Sequence, residues 1–236
     1  MSNSGLVSVT ILSPNHSGPR GHTIDRITPH CVVGQCTAEA LGNLFANPNR
    51  SASSNYGIGY DGKIGLYVEE KNRSWCSSST ENDDRAVTIE CASDVDFPWA
   101  FRDAVYESLI NLCVDICKRY GKTRLLWLKD KDISLAYNPR SDEMVLTVHR
   151  WFANKACPGD WMMERMGDLA MRVTAVLTGE KPWYQDDMDW CKEKGIINDG
   201  RPNDNVTRAE MMAISHRIYD AVWEDMNRVS GLLTDD

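Results

Sequence analysis

Residues 56–68 read Tyr-Gly-Ile-Gly-Tyr-Asp-Gly-Lys-Ile-Gly-Leu-Tyr-Val, two β-prone runs joined at Asp61-Gly62. They predict a hairpin, because an Asp-Gly pair accepts the positive φ angles of a tight turn. Outward from this hairpin, strand-like and helix-like stretches alternate. On its N-terminal side Val7 to Leu12 and Cys31 to Gln35 are short β-rich runs, and Thr37 is placed to cap a helix through Phe45. On its C-terminal side Ala86 to Cys91 reads as a further strand. Between Trp99 and Tyr120 the apolar residues Val105, Leu109, Leu112 and Ile116 recur at helical spacing, with Gly121 where a C-terminal cap belongs. A second helix is expected from Asp160, as its cap, through Met163, Met166, Leu169, Ala170, Val173 and Leu177 to Gly179. Strands interleaved with helices imply an α/β domain over residues 1–179. Glu180-Lys181-Pro182 then reads as a hinge to a separate module over 180–236.

The chain has 236 residues, room for one domain and a smaller module. Its 42% hydrophobic and 25% charged composition is that of a globular protein. A formal net charge of −8 argues against nucleic acid as a partner, since phosphate binding draws on clustered Lys and Arg. No apolar run approaches the roughly 18 residues that span a bilayer, so no membrane partner is expected. The start, MSNSGLVSVTILSPN, lacks a basic segment before its short apolar stretch, so synthesis in the cytoplasm without an export signal is expected. Eight cysteines in that setting point to free thiols or metal ligands. Cys113 and Cys117, one helical turn apart in an apolar pattern, read as core residues ahead of a redox pair. Cys31, Cys36, Cys76, Cys91 and Cys191 take the same reading. No fixed-period repeat or low-complexity tract is present.

Of the five histidines, His16 and His22 fall in a polar Gly/Pro-rich loop and His216 on a terminal helix, where solvated rings are expected. His30 and His149 sit at or beside β-rich runs, Thr28-Pro-His-Cys-Val-Val and Val145-Leu-Thr-Val-His. Cys157 follows His149 by eight positions. Two imidazoles and a thiolate leave a tetrahedral zinc one open position for water, the pattern of a catalytic site. Three ligands scattered along a chain also arise by chance, and spacing alone leaves both readings open.

The stretch His149 to Asp160, HRWFANKACPGD, resembles the C-terminal metal motif of type 2 N-acetylmuramoyl-L-alanine amidases, through His149, Lys155, Cys157, Pro158 and Gly159. His30, in ITPHCVVGQ, matches that family's N-terminal histidine, and SSNYGIGYDGKI resembles its hairpin. The resemblance covers roughly residues 20–178. It implies a mixed central β-sheet flanked by helices, and a Zn2+ ion held by His30, His149 and Cys157. It implies Lys155 as oxyanion stabiliser, Tyr56 as a hydrogen-bonding group at the reacting centre, and Glu90, in a strand like the family's Gly-Ile-Glu, as a carboxylate beside the zinc water. Asn55, where the family often has His, and Tyr60 depart from the pattern. The plain alternatives are a solvated lysine at Lys155 and an edge-strand charge at Glu90. Trp75, Trp99, Trp151 and Trp161 suit the wall of a saccharide-peptide groove, but burial is the commoner fate of a tryptophan, and none is given a binding role.

In the C-terminal module, Trp183 to Gly200 followed by RPNDNVTRAE resembles a single S-layer homology repeat. Thr207 and Glu210 fit a capping box on physical grounds alone. The resemblance implies a helical module for attachment to secondary wall polymer, for self-association into a homo-oligomer, or for both, since a lone helix pair buries little apolar surface.

The expected function is therefore a peptidoglycan hydrolase, an endolysin that acts on the wall after release in phage or prophage lysis. The alternatives are a peptidoglycan-binding protein without hydrolysis, a wall-attachment protein, and a cytoplasmic amidase that recycles muropeptides.

Overall fold

The computed structural model describes residues 3–181, 185–195 and 208–232. The chain divides into two compact units, Met1–Glu180 and Lys181–Asp236. The first holds nine strands: β1 Val7–Thr10, β2 His16–Pro19, β3 Arg26–Cys31, β4 Tyr56–Ile58, β5 Ile64–Leu66, β6 Asn72–Ser74, β7 Ala86–Cys91, β8 Arg124–Leu126 and β9 Glu143–Leu146. Its helices are α1 Ala38–Ala46, α2 Thr80–Arg85, α3 Asp103–Arg119, α4 Lys131–Ala136 and α5 Asp160–Thr178.

Seven strands form one sheet in the order β1-β5-β4-β7-β3-β9-β8, and β2 pairs with β6 in a separate antiparallel ribbon. The expected hairpin supplies the only antiparallel step of the large sheet: Tyr56, Gly57 and Ile58 oppose Leu66, Gly65 and Ile64. All other neighbours run parallel, so the sheet is mixed and flanked by helices. Its centre is the parallel trio β7-β3-β9.

Side-chain alternation splits these strands into two faces. Ile27, Val87, Ile89, Cys91, Met144 and Leu146 join the main core with Val105, Leu109, Leu112 and Ile116 of α3 and Met162, Met166, Leu169 and Val173 of α5. Each such side chain contributes about 1.5–3 kcal/mol by leaving water, which explains why the helical spacing read from the sequence marks the buried stripes. The other face is covered over β4 and β5 by α1, where Leu41, Phe45 and Tyr67 form a smaller cluster. Gly57 is required there, because a Cβ would lie 2.5 Å from the Tyr67 ring.

The differences from expectation are local. α1 begins after Thr37, whose side chain accepts from Ala40 N as expected. α3 starts at Asp103, not Trp99. Gly159, at φ +89°, caps α5 in place of Asp160, which is the first helical residue and pairs with Arg150 at 2.9 Å. His16 lies in β2 and not in a loop. The strand expected over Cys31–Gln35 lies earlier, at Arg26–Cys31.

In the second unit the described helices are α6 Gln185–Glu193 and α7 Arg208–Leu232. Met211, Met212, Ile218, Tyr219, Val222, Trp223 and Met226 of α7 are exposed. His216 is exposed as expected, 3.6 Å from Asp220. Thr207 of the expected capping box, and most of the Gly195–Val206 stretch that carries the repeat-like motif, lie outside the described residues. Among the described residues no helix is long and apolar enough to cross a membrane.

Candidate metal centre and active site

The parallel trio opens its carboxyl ends at one sheet edge, where α/β folds place ligands. β3 and β7 carry the same two-residue step near their ends, Thr28 then His30 and Thr88 then Glu90, and the extended segment that follows β9 repeats it as Thr147 then His149, where a short 3-10 turn begins. A period of two puts both members on one face. The threonines lie beneath the site in a buried polar layer. Thr28 and Thr147 share a hydroxyl bond of 2.7 Å, Asn82 donates to Thr28 at 3.0 Å, and Thr147 donates to Asn82 Oδ1 at 2.9 Å. Thr88 bonds the Ser74 hydroxyl at 2.7 Å, and its backbone N–H donates to Asn55 Oδ1 at 3.1 Å. With their polar atoms satisfied, these side chains fix the strand ends that aim the groups above them.

Above this layer His30 is fully buried at 0% exposure. Its Nδ1 lies 3.3 Å from Cys157 Sγ and 4.0 Å from Glu90 Oε1. The His149 ring stands 5.0 Å from the His30 ring, centroid to centroid, with Nε2 3.1 Å from the Ser78 hydroxyl. Cys157 arrives on the loop before α5, which Arg150 holds by donating from its backbone to Cys157 O at 3.1 Å and from its guanidinium to Ala156 O. Cys31 N donates to Cys157 Sγ at 3.4 Å. One donor atom each from His30, His149 and Cys157 lies within 4.8 Å of the others, and the same holds for His30, Cys76 and Glu90.

The donor set suits a divalent ion. Burial, and then the neighbouring His149, push His30 well below the usual histidine range, and burial and Lys155 lower His149, so both rings are neutral and able to ligate. The Cys31 thiol and burial push the Cys157 thiol up, and burial pushes Glu90 up to about 8. His30 Nε2 and Glu90 Oε2 are buried without a hydrogen-bond partner among the described residues. A dication favours neutral imidazole and draws protons off thiol and carboxyl, which meets what this cluster lacks.

The cluster lies at the floor of a cleft of about 910 Å³ lined by Trp75, Cys76, Glu90, Trp99, His149, Lys155 and Cys157 among others. Lys155 is exposed there, and among the described residues no carboxylate pairs with it. Trp151 instead stacks on Trp127 at 5.3 Å, and Trp161 packs against Phe101 and Tyr106.

Tyr56 is not brought to this cleft. Register places it opposite Ile89, on the core face, while Gly57 lies opposite Glu90. The Tyr56 hydroxyl donates to Glu70 Oε1 at 2.6 Å and accepts from Ser4 N at 2.8 Å. Glu70 also accepts from both terminal nitrogens of Arg119, at 2.7 and 2.6 Å, and from Tyr120 at 2.8 Å, so Tyr56 belongs to a buried structural cluster. Cys76, expected as a core residue, lines the cleft together with Ser78, and Asn82 joins the threonine layer beneath it. The repeated Thr-x-His and Thr-x-Glu steps were the sequence signal for the polar layer. Cys76 had no such signal.

An α/β sheet whose open edge gathers two imidazoles, a thiol, a carboxyl and a free cation along one cleft has the equipment of a hydrolase with a candidate metal group. Residues 20–160 match the family model of N-acetylmuramoyl-L-alanine amidase, and the chain belongs to that family of peptidoglycan amidases. No curated protein matches it in sequence. Among solved structures it is similar to the endolysin amidase LysCS from Clostridium intestinale URNW, at 15% identity over 76% of this chain and 100% of that one with a TM-score of 0.48. It is similar also to a mutant endolysin from Bacillus subtilis, at 16% identity over 71% and 99% with a TM-score of 0.45. A selenomethionine AmpD derivative matches at 18% identity over 71% and 96%, with a TM-score of 0.49.

Proposed function

We propose that the protein is a zinc-dependent N-acetylmuramoyl-L-alanine amidase that cleaves bacterial peptidoglycan between N-acetylmuramic acid and the first L-alanine of the stem peptide. The observation that carries this reading is the convergence of His30, His149 and Cys157 donor atoms within 4.8 Å at the floor of a cleft large enough for a sugar-peptide segment. A zinc ion held by these three supplies Lewis acidity and a water acidified to a pKa of about 7. The Lys155 ammonium stabilises the negative charge that gathers on the carbonyl oxygen as water adds to the amide carbon. Glu90 takes the proton released by water and returns it to the alanine nitrogen as the C–N bond breaks, leaving a carboxylate on the muramyl lactyl group and a free amine on the peptide.

The biological setting we propose is lysis: the chain is made in the cytoplasm and reaches the wall on release, as a phage or prophage endolysin. The module over 180–236 serves wall attachment through secondary wall polymer, self-association, or both, in the manner of an S-layer homology repeat. The exposed apolar residues of α7 support an additional binding surface.

Metal analysis of the purified protein, combined with assay of new amino termini and reducing ends in digested walls, tests the reading. The expected result is about one zinc per chain and new alanine amino termini without new reducing ends. Cys157→Ser should lose both metal and activity; full retention of both would remove the proposed site, and wall binding without hydrolysis would favour the non-catalytic alternative.

A further inference from the structure

The β2-β6 ribbon stands outside the large sheet, and the chemistry assigned above uses none of it. We propose that this ribbon is the wall that takes the sugar: the face of Trp75, just after β6, is a stacking platform for the pyranose ring of N-acetylmuramic acid, and Ser17 and Arg73 hold that platform in place. The inference rests on the amidase reading above and names the part of the substrate that this wall receives.

Trp75 differs from the other tryptophans around the cleft. Trp151 stacks on Trp127, Trp161 packs against Phe101 and Tyr106, and Trp99 meets Phe97 edge-on at 5.5 Å. Trp75 lines the cleft at 40% exposure, and among the described residues no ring packs against it. Burial is the common fate of a tryptophan, so a large apolar face left open on a cleft wall points to a ligand contact.

The ring is fixed from both ends of the residue. Its Nε1–H donates to Ser17 Oγ at 2.6 Å, and the same oxygen accepts from Arg73 Nη2 at 2.6 Å. On the backbone, Trp75 N donates to Ser53 Oγ and Ser53 N donates to Trp75 O, each at 3.0 Å. With its one donor satisfied, the indole offers a ligand only its face. A pyranose suits that face: its axial C–H bonds carry partial positive charge toward the electron-rich ring, and its oxygens need donors at the rim. Arg73 also lines the cleft and keeps donors beyond the one that Ser17 takes.

Position decides which part of the substrate lies there. Cys76, the next residue, brings its Sγ to 3.8 Å from Glu90 Oε1 at the metal cluster. In N-acetylmuramic acid only the short lactyl ether separates the pyranose from the scissile amide, so a ring on Trp75 leaves the amide within reach of the cluster. The group on the other side of that amide is alanine, whose methyl has no flat face to stack.

The test measures kcat/KM of the full-length protein, Trp75→Ala and Trp75→Phe on two soluble ligands with the same stem peptide, one bearing N-acetylmuramic acid at the amide and the other a plain D-lactyl group in place of the sugar. Trp75→Ala should lose about 10-fold on the sugar-bearing ligand, the scale of one aromatic contact, and stay within about twofold on the lactyl one. Trp75→Phe, which keeps a flat face, should fall between the two other proteins on the sugar-bearing ligand. Melting checks folding, and the ratio of the two ligands within one variant is unmoved by a loss of folded protein. Equal losses on both ligands, or no loss on either, overturn the inference. If the unaltered protein cleaves neither ligand, the amidase reading falls, and calorimetric titration with the two intact ligands decides the stacking by itself. Weaker binding of the sugar-bearing ligand alone in Trp75→Ala then upholds it, and equal binding, or none, overturns it.

Discussion

At the scale of single residues, Lys155 and Tyr56, drawn from two motifs of the same family resemblance, carry opposite expectations. Lys155 is exposed on the cleft beside His149, so Lys155→Ala should lower turnover by about 10²- to 10³-fold, the usual cost of one oxyanion donor, while metal content stays unchanged. An unaltered turnover would take Lys155 out of the mechanism. Tyr56→Phe should behave in reverse, because its hydroxyl serves Glu70 and Ser4 on the core face. We expect turnover on a soluble muropeptide within about twofold of the unaltered protein and a loss of about 1–3 kcal/mol in urea unfolding, the cost of leaving buried partners unsatisfied. A large fall in turnover with unchanged stability would return Tyr56 to the reacting centre. Each motif was readable at its own position, but only strand register decides which face a strand side chain takes. A shift of one residue moves it across the sheet, and register depends on partners some 30 positions away.

Among the elements, the hairpin, α1, α3, α5 and the Ala86–Cys91 strand were legible because their signals are local: an Asp-Gly turn, a threonine cap, a helical stripe. The misplaced strand shows what was not. The β-rich run at Cys31–Gln35 and the proline at position 29 both argue against a central strand at Arg26–Cys31. In the fold, Asp25 O and Ile27 O accept from Val145 N and Thr147 N of the β9 segment, so odd-numbered residues of β3 turn their backbone groups toward that neighbour. The β3-β9 ladder ends at Ile27 and Leu146, and the N–H that Pro29 lacks falls on the side where pairing has stopped. The two strands part there, and His30 and His149 face each other across the gap. β9 also begins on a local polar cluster that leaves no periodic trace. Burial opposes ionisation of Glu143, yet bonds from Tyr137 at 2.6 Å and from the Arg140 backbone and guanidinium at 3.0 and 2.9 Å hold its carboxyl down at about 2. A depressed folded-state value gives stability that is full above the ordinary carboxylate range and lost as pH falls toward 2. The melting temperature of Glu143→Gln should therefore lie below that of the unaltered protein by a constant margin from pH 6 to 8, a margin that closes as pH drops from about 5 toward 2. A margin independent of pH would deny the carboxylate this role.

For the molecule as a whole, every group assigned to the chemistry lies within Met1–Glu180, which also contains both apolar clusters. Ending the chain after Glu180 should thus preserve hydrolysis of a small soluble muropeptide while reducing lysis of intact cells, lowering the mass in light scattering, or both. Equal lysis and equal mass would leave the α6 and α7 region without either proposed role. The same unit has a property that follows from how its donors are spread along the chain. His30 and Cys157 approach to 3.3 Å although 127 positions separate them. An unfolded chain cannot gather such distant groups, so an ion bound here binds the native state alone and shifts the folding equilibrium by mass action. At a free concentration 100 times its dissociation constant, the shift is about 2.7 kcal/mol, a sizeable share of the stability of an ordinary domain. On the proposed zinc reading, metal supply and protein lifetime become linked quantities: a chain deprived of the ion would be inactive and would also open more often to proteases.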